Sequence, residues 1–90
     1  MSIYLVTYDL NKPGQHHAAV LEEIKKSAGW ARLSESSYVV STGDTPQALL
    51  ARIRAVADAN DTIYIITLKS PYSGFGPSTV NSWLESNLTL

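Results

Sequence analysis

The apolar positions of this 90-residue chain change period several times along its length. Residues Ile3 to Tyr8 read I-Y-L-V-T-Y, a β-branched and aromatic run that predicts a strand buried on at least one face. Pro13-Gly14 breaks it. From Gln15 to Ala28 the spacing becomes helical, with His17, Val20, Leu21, Ile24 and Ala28 on one stripe and Glu22, Glu23, Lys25 and Lys26 mostly outward. Gly29 then suits the position just past a helix end.

Two further strands are expected at Trp30–Leu33 and Ser37–Thr42, folded back through Ser34-Glu35-Ser36. Thr45-Pro46 is a helix start, because Thr45 can cap and proline fits the first helical position. Leu49, Leu50, Ile53, Val56 and Ala57 supply the next apolar stripe, and Asn60-Asp61 ends it. Thr62 to Leu68 (T-I-Y-I-I-T-L) is a fourth strand. Residues 69–77 form a loop by composition, and Ser78 to Leu88 carries Val80, Trp83, Leu84 and Leu88 at helical spacing behind a Ser78 cap.

Strand, helix, strand, strand, helix, strand predicts two split βαβ units with right-handed crossovers. The expected fold is α+β and ferredoxin-like: a four-stranded antiparallel sheet with two helices on one face, plus a short C-terminal helix. Residues 1–68 would form the core, and 69–90 a loop and helix packed on it or extending it. The strand order is then fourth, first, third, second. That order brings Asp9, Asn11, Lys12, His16 and His17 to one sheet edge with the hairpin turn Ser34–Ser37 and with Asp58, Asn60 and Asp61. The loop with Ser73, Gly74, Phe75 and Gly76 leaves from the opposite edge and can serve a partner or a ligand. A sheet apolar on both faces would expose more than a monomer usually tolerates, so a homodimer through the open face, coverage by the helix carrying Trp83, or both together is expected.

Asp9, Asp61 and Glu35 are hard oxygen donors, suited to Mg²⁺ or Mn²⁺ and to phosphoryl chemistry. The alternative is that the loop carboxylates satisfy backbone N–H groups and that Glu35 is simply solvated. His16 or His17 can act as general base or ligand, although His17 falls on the inward helical stripe and reads more readily as a partly buried packing residue, with His16 exposed. No ion is needed for folding. The absence of cysteine removes disulfides and thiolate metal sites.

Seven basic and eight acidic residues leave a net charge of −1, which argues against broad, sequence-independent duplex binding. A local patch from Lys12, Lys25, Lys26 and Arg32 is the remaining basic feature. No basic region precedes the first apolar run and none of the runs approaches ~20 residues. A cytoplasmic protein without a membrane partner is therefore expected.

"YLVTYDL" ending in Asp9, a helix, "GWARLSESSYVVSTGDTP", a second helix and "NDTIYIITL" together resemble the small CRISPR-associated Cas-two family, whose relatives include the VapD toxins and SinR-like proteins. The likeness spans about residues 3 to 68 and favours a stand-alone Cas-two-like or SinR-like protein over a CRISPR adaptation subunit. It implies a ferredoxin-fold homodimer acting on nucleic acid, either as a metal-dependent endonuclease on RNA or DNA or as a non-catalytic scaffold. Asp9 matches the family's metal-binding aspartate, and Ser36 or Ser37 loosely matches a polar hairpin position. The functional expectation is thus a Cas-two-like homodimer, with Asp9 and Asp61 as metal ligands, Asp9 and His16 as catalytic candidates, and Lys12, Arg32, Ser36 and Ser37 facing nucleic acid. The alternatives are a dimeric scaffold with a protein partner, or a regulator that binds a nucleotide or other small ligand.

Overall fold

A computed structural model describes residues 1–10 and 16–89. Its elements run β1 (Ser2–Asp9), α1 (His17–Lys25), β2 (Gly29–Ser34), β3 (Ser37–Thr42), α2 (Pro46–Arg54), β4 (Thr62–Thr67) and α3 (Ser78–Asn87). The four strands form one antiparallel sheet in the order β2-β3-β1-β4. Read from the other edge, this is the expected fourth, first, third, second. The class is α+β, as the pattern of elements predicts.

Strand alternation divides the core in two. Tyr4, Val6 and Tyr8 of β1 and Tyr38 and Val40 of β3 pack against Val20 and Ile24 of α1 and Leu49 and Ile53 of α2. On the opposite face Ile3 and Val39 meet Leu84 and Leu88, with Val80 and Trp83 alongside. The two longer connections thus place their helices on one face, and α3 covers part of the other. That covering is the one of the two expected remedies for the open face that lies within a single chain.

Local chemistry accounts for the boundaries. Thr45 Oγ1 accepts the Ala48 N–H at 3.1 Å and Pro46 opens α2, as expected. The α1 helix is shorter than its apolar stripe predicts. It ends at Lys25 because the Lys26 and Ser27 N–H groups turn to Glu23 and Ile24, tightening the last turn. Gly29 is therefore not a cap but the first residue of β2. Ser78 is likewise the first helical residue of α3; Pro77 holds the cap position and no side chain caps that end. Glu35-Ser36 is a two-residue turn, and no non-glycine residue among those described has a positive φ. The primed turns that suit two-residue hairpins are therefore not used. An extra residue at Leu33, between the Arg32↔Tyr38 and Ser34↔Ser37 pairs, supplies the added twist.

No helix among the described residues is long and apolar enough to cross a membrane.

Candidate functional site at the end of the first strand

The last two residues of β1 point opposite ways. Tyr8 turns into the core and is only 5% exposed, whereas Asp9 faces solvent. The Tyr8 hydroxyl emerges between two other elements. It donates to the Glu35 backbone carbonyl of the hairpin turn at 3.2 Å and lies 3.1 Å from Nε2 of His17, the first residue of α1. The two rings meet edge to face, with centroids 5.8 Å apart. The Tyr8 N–H also donates to the Ser36 carbonyl at 3.0 Å, which fastens the turn to the strand end. Tyr8, Asp9, Leu10, His17, Glu35 and Ser36 thereby line one cavity of about 200 Å³.

The contacts of the Tyr8 hydroxyl bear on the His17 tautomer. A phenol has one proton, and a carbonyl can only accept. With Tyr8 donating to Glu35, its contact with His17 is a hydrogen bond only if Nε2–H is the donor. In the Nε2–H tautomer His17 keeps its Nδ1 lone pair for a ligand. Burial pushes the Tyr8 phenol up to about 12, helped by Tyr38 and Glu35 and opposed by the Arg32 guanidinium. Tyr8 is accordingly a neutral, fixed hydroxyl at physiological pH.

The described residues include no group of three or more His, Asp or Glu side chains able to hold a metal ion. Asp9 and Glu35, the two carboxylates on the cavity, are the residues that would hold the Mg²⁺ or Mn²⁺ that the family resemblance implies, with water and phosphate oxygens completing the shell.

No protein-family model matches this chain, and no curated protein matches it.

The expected site residues separate into groups. Asp9 and Ser36 line the cavity together, and Glu35 joins them. His17, not His16, is the imidazole among the lining residues. The His16 carbonyl accepts the Val20 N–H at 3.0 Å at the start of α1, and its side chain makes no capping bond. Asp61 stands at the same sheet edge, since Asp9 pairs with Thr62. Its Oδ2 accepts the Asp58 N–H at 2.7 Å and closes the turn before β4. Ser37 lies in the hydrogen-bonding partnership of the opposite face, its Oγ 3.1 Å from Thr7 Oγ1. Arg32 Nε donates to the Ser34 carbonyl at 3.3 Å, and the rest of this exposed side chain is near enough to act on the Tyr8 charge. Lys25 sits 4.8 Å from the Trp30 ring centre and Lys26 pairs with Glu23. Lys12 lies outside the described residues.

Over the sheet face that α3 partly covers, Ser73, Gly74, Phe75 and Gly76 border an apolar groove of about 440 Å³ floored by Leu5, Leu33 and Val39. Tyr72 Oη donates to the Asn81 carbonyl at 3.2 Å, and Asn81 Nδ2 donates to the Gly76 carbonyl at 3.4 Å, so α3 holds both ends of this stretch. Phe75 between them is fully exposed.

Sequence reasoning undervalued Tyr8 and His17. The available signal was a histidine on the inward stripe of a helix that begins beside a strand ending in Tyr-Asp.

Proposed function

We propose that this chain acts on nucleic acid at the cavity closing the first strand, as a Cas-two-like protein. The supporting observation is the Tyr8 hydroxyl, which joins the start of α1 and the hairpin turn into one cavity beside Asp9. His17 Nδ1 offers a proton acceptor toward a ribose hydroxyl or a base N–H. The carboxylates of Asp9 and Glu35 accept from exocyclic amino groups of unpaired bases, and Arg32, close enough to act on Tyr8, supplies a cation for a phosphate. With two carboxylates and a net charge of −1, the chain suits single-stranded or locally opened nucleic acid better than a long duplex. Asp9→Asn and His17→Ala should each weaken binding of short single-stranded RNA or DNA at least ~10-fold, about 1.4 kcal/mol, while circular dichroism stays unchanged. If the wild type shows Mg²⁺-dependent cleavage, Asp9→Asn should abolish it. Unchanged affinity and cleavage in both variants would refute this assignment.

A non-catalytic scaffold is the second reading, favoured by fully exposed Phe75 beside the apolar groove. In that case Asp9→Asn is silent, and shortening the 69–77 loop weakens capture of a protein partner in a pull-down.

A further inference from the structure

The two edges of the sheet are defended very differently. The β2 edge is interrupted by the bulge at Leu33 and carries the charge of Arg32. Such features are what proteins use to stop an edge strand from pairing with another chain. The β4 edge has none of them. Thr62–Thr67 reads T-I-Y-I-I-T, without charge, proline or glycine, and its register with β1 runs unbroken from Tyr4↔Thr67 to Asp9↔Thr62. Tyr64 is 63% and Ile66 49% exposed on the face that α3 leaves uncovered at this side.

The hydrogen bonds tell which backbone groups of β4 are unused within the sheet. Leu68 N–H donates to the Ile3 carbonyl at 2.9 Å, so Ile3 and Leu68 face one another. Bonding alternates along an antiparallel strand. Tyr64 and Ile66 therefore also turn their backbone groups to β1, while Ile63, Ile65 and Thr67 direct theirs away from it.

We propose that the β4 edge pairs with β4 of a second copy of this chain, antiparallel about a two-fold axis at Ile65, to make a continuous eight-stranded sheet. This register uses all three outward residues: Ile65 opposes its own mate and Ile63 opposes Thr67 of the second copy, with roughly six inter-chain bonds. Each Tyr64 then stands across from an Ile66, an aromatic and β-branched pairing that stabilises sheets. A second copy fits better than a foreign peptide because the strand complements itself. It carries no charge to repel its own image, and its β-branched and aromatic side chains meet on the same face across the axis. Each Tyr64 ring brings on the order of 150–250 Å² of surface. With Ile66 and the strand backbone this makes an interface at the small end of the stable range, roughly 600 Å² per partner. A 90-residue domain gains from such an extension, being marginal alone.

The arrangement has a consequence for the strand-end cavities, although it does not depend on what they bind. Asp9 is level with Thr62, three residues from the axis on one side, and its mate is equally far on the other. With strands ~4.8 Å apart and ~3.3 Å per residue, the two Asp9 Cα atoms lie on the order of 25 Å apart. The two carboxylates cannot share an ion, so each cavity works singly.

The test is sedimentation of the full chain together with amide exchange of its β4 residues. The expected result is a dimer in which the Ile63, Ile65 and Thr67 amides exchange as slowly as those of Tyr64 and Ile66. Tyr64→Lys combined with Ile66→Lys should halve the sedimenting mass and release the first three amides while the other strands keep their protection. A monomeric wild type, or a dimer whose Ile63, Ile65 and Thr67 amides exchange freely, would overturn the proposal whether or not the variant folds.

Discussion

Tyr8 Oη and His17 Nε2 lie 3.1 Å apart, joining the end of β1 to the first residue of α1. When the Tyr8 proton goes to Glu35, the imidazole meets the phenol as the Nε2–H tautomer and Nδ1 is left as an acceptor. Replacing Tyr8 by Phe removes both bonds and keeps the ring. We expect a loss of about 1 kcal/mol in denaturant unfolding. Nitrogen shifts of His17 should also change from one dominant tautomer to a mixture. A His17 spectrum identical in the variant would show that Tyr8 does not set the imidazole.

The same phenol makes stability depend on pH at the alkaline end. Its folded pKa of about 12 lies above the ordinary value of 10.0, so the native state holds the proton more tightly than the unfolded chain. The stabilisation is complete below pH 10 and is lost as pH rises through 12. Chemical unfolding between these limits should show a falling free energy in the wild type and a flatter profile in Tyr8→Phe. Parallel profiles would contradict the burial argument.

The two later helices begin differently, and their first turns should respond differently to alanine. Thr45→Ala deletes the side-chain bond to the Ala48 N–H and should cost about 1 kcal/mol. Ser78→Ala should stay within about 0.5 kcal/mol, since Ser78 is inside α3 and makes no capping bond. Equal losses in the two variants, measured by urea unfolding, would contradict the assignment of caps.

Asp61 offers a contrast with Asp9. Its carboxylate closes the turn before β4 through the Asp58 N–H, whereas Asp9 is exposed and lines the cavity. Asp61→Ala should lower stability by about 1 kcal/mol or more while leaving nucleic-acid affinity within a factor of two. Asp9→Asn should do the reverse. A thermal melt and a binding isotherm on each variant separate the two roles.

Much of the fold was legible because short-range chemistry and chain handedness point the same way. Ser37–Thr42 and the start of α2 at Thr45-Pro46 were readable to the residue, and right-handed crossovers dictate the strand order. Gly29 and Ser78 were misassigned because each motif fits two adjacent roles. Glycine just past an apolar stripe can cap a helix or open a strand, and serine at a helix start can cap it or follow a proline that takes that place. The bulge at Leu33 leaves no mark in a hairpin without Asn-Gly or Asp-Gly. At the site, Asp9 was visible as a carboxylate ending an apolar run. His17 was visible only as one of two candidate histidines, because helical spacing reports that a side chain points inward but not that a strand hydroxyl waits there.

The most direct test of the account is a titration of isotope-labelled protein with short single-stranded RNA and DNA, followed by chemical-shift mapping. The account predicts that the largest changes fall on Asp9, His17, Glu35 and Ser36, and that Asp9→Asn suppresses them. Changes centred instead on Phe75 and the groove beside α3, or no changes at millimolar oligonucleotide, would contradict it.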